Sequence, residues 1–184
     1  MAVREVIRMG HPTLREKARP LSKEEILSKD TKQLVQDLFE TMDEYEGIGI
    51  AAPQVGVAIQ LAIIGIAEEN PRYPDQAASK TYIVINPTIT VLDETTQGFW
   101  EGCLSVPGLR GYVERPRKIR IDFLDMDARL NTIILEGFLS TVFQHELDHL
   151  TGTLYVDRIK DKTKLAFNEE YAKFIAQDDD QEID

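Results

Sequence analysis

His145 and His149 stand four residues apart, with Glu146 directly after the first of them. On a helix, residues at i and i+4 project from one face a turn apart. Both imidazoles can therefore close on a single metal ion with the glutamate alongside. The chemistry implied is hydrolysis. Neutral imidazoles hold the ion, the ion brings the pKa of a water toward neutrality, and Glu146 takes that water's proton and passes it to a leaving amine. A solvated helix face can hold two histidines by accident, but the chain has only 3 histidines and this motif takes two of them.

A mononuclear hydrolytic site takes three protein ligands and keeps one position open. In the metzincin pattern the third ligand is a histidine after a glycine; Gly152 is in place, but the ligand position is Tyr155, which does not serve. In the thermolysin-like pattern it is a glutamate on a later helix, and Glu169, 20 residues after His149, fits that spacing. The other candidate lies upstream. Cys103, the single cysteine, sits in Glu101-Gly102-Cys103-Leu104-Ser105, and a thiolate beside two imidazoles suits Zn(II), Fe(II), Co(II) or Ni(II). Spacing alone leaves both candidates standing, and a small thermolysin-like endopeptidase using Glu169 is the alternative function.

The motif needs a helix under it, and one is predicted from about Glu136 to Leu150, stopped by Gly152. An earlier helix follows Asp30, which can cap it with Gln33 three residues on; Leu34, Val35, Leu38, Phe39 and Met42 share a face, and the helix ends before Gly47. Val57 to Ile66 reads as a buried strand, Asn70 to Lys80 as an exposed loop, and Tyr82 to Ile85 and Thr88 to Leu92 as two strands across Asn86-Pro87. Lys118 to Asp125 alternates, with Asn131 to Leu135 as its hairpin partner. A last helix is predicted over Lys162 to Ala176, with Leu165, Ala166, Tyr171 and Phe174 available for packing. Hairpins outnumber crossovers, which is the pattern of an α+β domain: antiparallel β-sheets packed around a central metal-binding helix, with an N-terminal and a C-terminal helix.

Composition narrows the class. The chain has 184 residues, 42% hydrophobic and 29% charged, the balance of one soluble domain. We expect a single catalytic domain over residues 1–177 and an acidic, solvated tail over 178–184, where Asp178, Asp179, Asp180, Glu182 and Asp184 repel one another. Thirty-two acids against 21 bases give a net charge of −11, which argues against specific nucleic-acid binding. There is no long apolar run for a membrane, no apolar core of a signal peptide at the N-terminus, and one cysteine excludes an internal disulfide. These point to a cytoplasmic protein. Oligomeric state is not encoded in any feature of the sequence.

Three separated blocks resemble the peptide deformylase family: GIGIAAPQ at 47–54, EGCLS at 101–105 and QHELDHLTG at 144–152. Ile50 stands where leucine is more usual. The opening Ile7-Arg8-Met9-Gly10-His11-Pro12-Thr13-Leu14-Arg15 and Ile85-Asn86-Pro87 also look like the family, so the resemblance covers nearly the whole chain. It implies removal of the formyl group from N-formylmethionine at the start of nascent peptides, with release of formate. It implies one divalent metal ion, physiologically Fe(II), with Zn(II), Ni(II) or Co(II) possible in purified protein, held by Cys103, His145 and His149. Glu146 matches the general base and acid, and Gln54 with the backbone N–H of Leu104 matches the oxyanion donors.

The resemblance also assigns the substrate cleft. Ile48, Phe99, Phe138, Thr141 and Val142 match the walls of the methionine pocket, with Thr141 where an apolar residue is common. Gly49 and Gly102 lie on segments where the peptide approaches the backbone, the first by strand-like pairing; Gly47 and Gly49 are expected to supply backbone conformations closed to other residues. Arg110 matches a position near the cleft, and Arg115 is expected to pair with Asp148 behind the metal helix. Some bacterial members dock on the ribosome through a basic C-terminal helix. Here Arg158, Lys160, Lys162 and Lys164 are followed by Glu169, Glu170 and the acidic tail, so docking carries over only weakly.

Overall fold

The computed structural model describes residues 2–66 and 78–176. The loop predicted from Asn70 falls mostly outside these residues, and the acidic tail wholly so. The helices are α1 (Lys23–Leu27), α2 (Lys29–Glu44), α3 (Gly137–His149), α4 (Tyr155–Arg158) and α5 (Asn168–Phe174). The strands are β1 (Gly49–Ala51), β2 (Leu61–Ile64), β3 (Tyr82–Cys103), β4 (Val106–Leu124), β5 (Leu130–Glu136) and β6 (Leu165–Phe167). These strands pair antiparallel throughout, in the order β1-β2-β3-β4-β5, with β6 added on β4. This is the predicted α+β class, with α3 at the centre.

β2 shows how the core is divided. Its four residues are all buried, because alternate side chains enter two different clusters. Ala62 and Ile64 join Val84, Ile119, Ile121, Val142, Phe143 and Leu147 on the α3 side. Leu61 and Ile63 join Leu34, Val35, Leu38, Met42 and Ile85 on the α2 side. The β1–β2 layer is thus sandwiched between two helices, and every residue of α3 from Ser140 to His149 is buried. A helix buried on all sides presents its polar groups to protein, so the metal motif can be held by fixed partners rather than by water.

Several expected elements differ. The first long helix is capped by Ser28, whose side chain accepts from Thr31 N, and not by Asp30, which lies in the first turn. Ahead of it stands α1, with a capping box between Ser22 and Glu25. The two strands expected around Asn86-Pro87 are one strand: Asn86 takes a left-handed φ of 49°, the register shifts between Ile85 and Thr88, and the ladder resumes. The Asn86 side chain bonds both Leu21 N and Leu21 O, so the bulge also ties down the N-terminal segment. The last helix is shorter than expected. Leu165, Ala166 and Phe167 pair with Leu109–Gly111 of β4 as β6, and only then does the chain turn helical. Phe174 is exposed, and Tyr171 packs on Trp100 instead of the core. No helix among the described residues is long and apolar enough to cross a membrane.

Candidate metal centre and cleft

Cys103 ends β3, and His145 and His149 lie one turn apart near the end of α3. One donor atom from each of these three lies within 4.8 Å of the others, and Cys103 Sγ is 3.4 Å from His149 Nε2. The β3–β4 hairpin brings the cysteine there, because Cys103 pairs with Val106 across a turn made by Leu104 and Ser105. Glu169, the alternative ligand, is exposed in the first turn of α5 and belongs to no such group among the described residues. Tyr155 is no ligand either. It is 1% exposed, stacks on the His145 ring at 6.0 Å and donates its hydroxyl to Leu109 O at 3.1 Å.

The donor set fits a cation on its electrostatics as well as its geometry. His145 Nδ1 lies 2.8 Å from Glu101 Oε2, which leaves Nε2 for the interior of the trio. Burial opposes protonation of His145, yet the hydrogen bonds and charges of Cys103 and Glu101 outweigh it and raise its pKa well above the ordinary value. A buried site at the floor of a cleft that draws positive charge inward is suited to a cation. His149 goes the other way: burial, then the charges of His145 and Arg115, keep it neutral, the form with a lone pair to give.

Behind the helix sits a buried ionic network. Arg115, on β4 and 3% exposed, donates to Glu101 through Nε at 2.6 Å and Nη2 at 3.0 Å, and through Nη1 to Asp148 at 2.8 Å. The expected Arg115–Asp148 pair is therefore present, but Arg115 is also the clamp on Glu101. Asp148 receives a second arginine, Arg158, at 2.6 and 3.0 Å. One guanidinium thus fixes the carboxylate that orients His145 and the helix carboxylate next to His149.

Gln54 lies in a short 3-10 turn after β1 and is 1% exposed. Its Oε1 accepts from Ala51 N at 2.8 Å, which turns the amide NH₂ inward. That NH₂ lies 3.6 Å from Cys103 Sγ and 3.3 Å from Ser105 Oγ. Gly49 owes its presence to space, not to conformation: its φ is not positive, but a Cβ built on it would lie 2.6 Å from the Glu146 carboxylate. At the preceding turn it is Glu46, φ 52°, that takes the left-handed conformation expected of Gly47.

Ile48, Gly49, Phe99, Gly102, Leu104, Phe138, Thr141 and Val142 line one cleft of about 540 Å³, together with Gln54, Cys103, His145 and Glu146. Phe99 and Phe138 pack edge to face at 5.4 Å. The Thr141 hydroxyl is satisfied by Gln97 Nε2 at 3.2 Å, a side chain that also donates to Gly137 O at the start of α3. Arg110 is not in this cleft. It lines an adjoining groove that shares Gly102, Cys103 and Leu104. Sequence reasoning missed Glu101, Gln97, Ser105, Trp100 and Arg158. Arg115 was expected on Asp148, but its clamp on Glu101 depends on the β3–β4 register that only the fold supplies.

The polypeptide deformylase family model matches residues 3–165. A peptide deformylase of Leptospira biflexa is 48% identical over 170 residues, covering 92% of this chain and 95% of that one. Peptide deformylase 1 of Bordetella pertussis is 44% identical over 164 residues, 89% and 92% of the two chains. Among solved structures, the Met-Ala-Ser-bound class I type b peptide deformylase of Acinetobacter baumannii superposes with a TM-score of 0.82 at 37% identity, covering 85% of this chain and 98% of that one. The Thermotoga maritima peptide deformylase gives 0.76 at 33% identity, covering 86% and 99%. With a family model matched over residues 3–165 and relatives up to 48% identical along nearly their whole length, the chain belongs to the polypeptide deformylase family.

Proposed function

We propose that the cleft binds the formylmethionine end of nascent polypeptides in the cytoplasm, and that its residues hydrolyse the formyl group to formate. The observation that carries this reading is the meeting of three metal-donor atoms, Glu146 and the Gln54 amide at the floor of one largely apolar cleft. Cys103, His145 and His149 would hold a divalent ion, which when bound would supply Lewis acidity at the floor of the cleft. We take Fe(II) as the physiological ion, with Zn(II), Ni(II) or Co(II) able to take its place on the same donors.

The remaining work belongs to the chain. Glu146 takes the proton of the attacking water and returns it to the leaving amine of methionine. The Gln54 NH₂ and the Leu104 N–H donate to the oxygen as it gains negative charge, and Gln54 is already locked by Ala51, so little reorganisation accompanies the step. Ile48, Phe99, Phe138, Thr141 and Val142 hold the methionine side chain, and Gly49 and Gly102 let the peptide backbone come close. Gly49→Ala places a methyl group against the Glu146 carboxylate. We expect kcat to fall about 10²-fold, the scale of a displaced catalytic group, with metal content unchanged; an unaltered kcat counts against Glu146 as the base.

The test against the endopeptidase alternative is a pair of substitutions. Cys103→Ala should lose bound metal and formate release together, while Glu169→Ala keeps both; metal retained by the first and lost by the second reverses the assignment. Docking on the ribosome is expected to be weak. Arg158 is taken up by Asp148, Lys160 by Glu114 at 3.0 Å, and Lys164 sits over the Tyr112 ring at 4.2 Å. In a low-salt ribosome pelleting assay the chain should stay in the supernatant, with or without residues 178–184.

A further inference from the structure

β3 meets α3 through a row of side chains, most of which already belong to the site. Residues two apart on a strand share a face, and Gln97, Phe99, Glu101 and Cys103 follow that spacing. Phe99 packs on Phe138, Glu101 lies 2.8 Å from His145, and Cys103 lies 3.4 Å from His149. Gln97 completes the row, and no step of the hydrolysis uses it. Its Nε2 donates to Gly137 O at 2.6 Å and to Thr141 Oγ1 at 3.2 Å. A carbonyl can only accept, so Gly137 fixes the NH₂ end of the amide toward the helix.

The bond to Thr141 matters because of where that residue stands. Thr141 is 2% exposed and lines the cleft proposed to take methionine, among Ile48, Phe99, Phe138 and Val142. A hydroxyl is a poor wall for a thioether side chain. Left unpaired beside apolar groups it costs free energy, and it recovers that only by keeping a water. Here the hydroxyl is engaged by Gln97 from β3. The other branch of a threonine is a methyl group, which matches the polarity of the neighbouring walls. Gln97 itself does not line the cleft, so it acts from behind the wall.

We propose that Gln97 is a positioning residue for substrate selection. By occupying the Thr141 hydroxyl it makes that wall apolar, which favours a thioether over a polar side chain of similar length. The inference rests on the deformylase reading, which puts methionine in this cleft. Without Gln97 the freed hydroxyl takes a water in the empty cleft. Methionine then displaces that water without replacing its hydrogen bond, and affinity is lost. The penalty falls on binding and belongs in KM. Both bonds of Gln97 end on the first turns of α3, ahead of the metal histidines, so kcat should change little.

The experiment measures kcat and KM for formate release from formyl-Met-Ala-Ala and from its methionine-sulfoxide counterpart, using metal-loaded full-length protein. In Gln97→Leu we expect KM for the methionine peptide to rise about five- to tenfold, the lower part of the range for an unsatisfied buried hydroxyl. The sulfoxide is polar and can accept from the freed hydroxyl, so it should lose less and the preference for methionine should shrink. Gln97→Asn keeps an amide that is one methylene too short to reach Thr141. It should show the same loss, and it supplies the reading if Gln97→Leu does not fold. Thr141→Val removes the hydroxyl, keeps the bond to Gly137, and should retain the preference. In that background Gln97→Leu should leave the preference in place, a rescue that a purely structural role at the start of α3 does not give. A preference unchanged in the Gln97 variants, one that collapses in Thr141→Val, or one lost equally in the double variant overturns the proposal and leaves the deformylase reading in place. Failure to release formate from any peptide overturns both.

Discussion

Glu146→Gln is expected to lower kcat for formate release by about 10²- to 10⁴-fold, the range that a positioned general acid–base group contributes. The amide keeps the shape of the carboxylate but can no longer accept a proton from water or return one to the leaving amine. Glu146 is outside the donor trio, so metal content should stay at the wild-type level. The cleft proposed to take methionine keeps its walls, and KM should therefore move little. Metal analysis and steady-state kinetics on one preparation check both halves. A variant that loses its metal would make Glu146 part of the binding site, and one that keeps most of its rate would remove it from the proton transfer.

Arg115→Leu is the substitution with the largest expected effect on stability. It leaves Glu101 with only His145 as a partner and Asp148 with only the more exposed Arg158. Breaking a buried ion pair by removing one partner costs about 3–5 kcal/mol, which should appear as a lowered urea midpoint. The effect also has a pH signature. Burial pushes the Glu101 carboxyl upward, but hydrogen bonds from His145 and Arg115 pull it further down, to a net value below the ordinary carboxylate range. A depressed carboxylate contributes stability that is present above its unfolded pKa and lost as pH falls through its folded one. Without Arg115 that downward pull weakens, and acid unfolding should begin at a higher pH than in the wild type. Metal retention should fall as well, since Glu101 orients His145. Unchanged urea and acid midpoints would reduce Arg115 to a bystander.

Much of the site is legible in the sequence because chemistry constrains residue type and local spacing. His145, Glu146 and His149 are read from one helical turn. Cys103 stands out as the single cysteine, and the resemblance carried by the blocks around Gln54 and Cys103 links them to the helix. What was not legible depends on long-range register. By residue type alone Gln54 is a turn residue after Pro53; the resemblance makes it an oxyanion donor, and only the fold shows its amide locked by Ala51 and buried against Cys103. Glu101 looks like a surface charge until β3 pairs with β4 and sets it against Arg115. Gly49 reads as a conformational glycine, whereas the constraint is the Glu146 carboxylate packed against it.

The fold divides along the same line. α3 and β5 lie close to their expected limits, whereas β4 was expected only from Lys118 to Asp125 and begins twelve residues earlier, at Val106. Residues 93–103 of β3 lack regular alternation and were not seen as a strand, because half of that stretch borders the cleft instead of the core. β6 was absorbed into a predicted helix, since three residues carry no period of their own and become a strand only beside Leu109–Gly111.

The central claim is tested most directly by formate release from a formyl-Met tripeptide, using protein purified without oxygen and analysed for metal. Oxygen is excluded because a ferrous thiolate site loses function by oxidation of the metal or of Cys103. With about one metal ion per chain, we predict one formate for each free methionine amine produced, with the peptide bonds after methionine left intact. Iron-loaded protein that releases no formate, or that cuts those peptide bonds instead, would contradict the account.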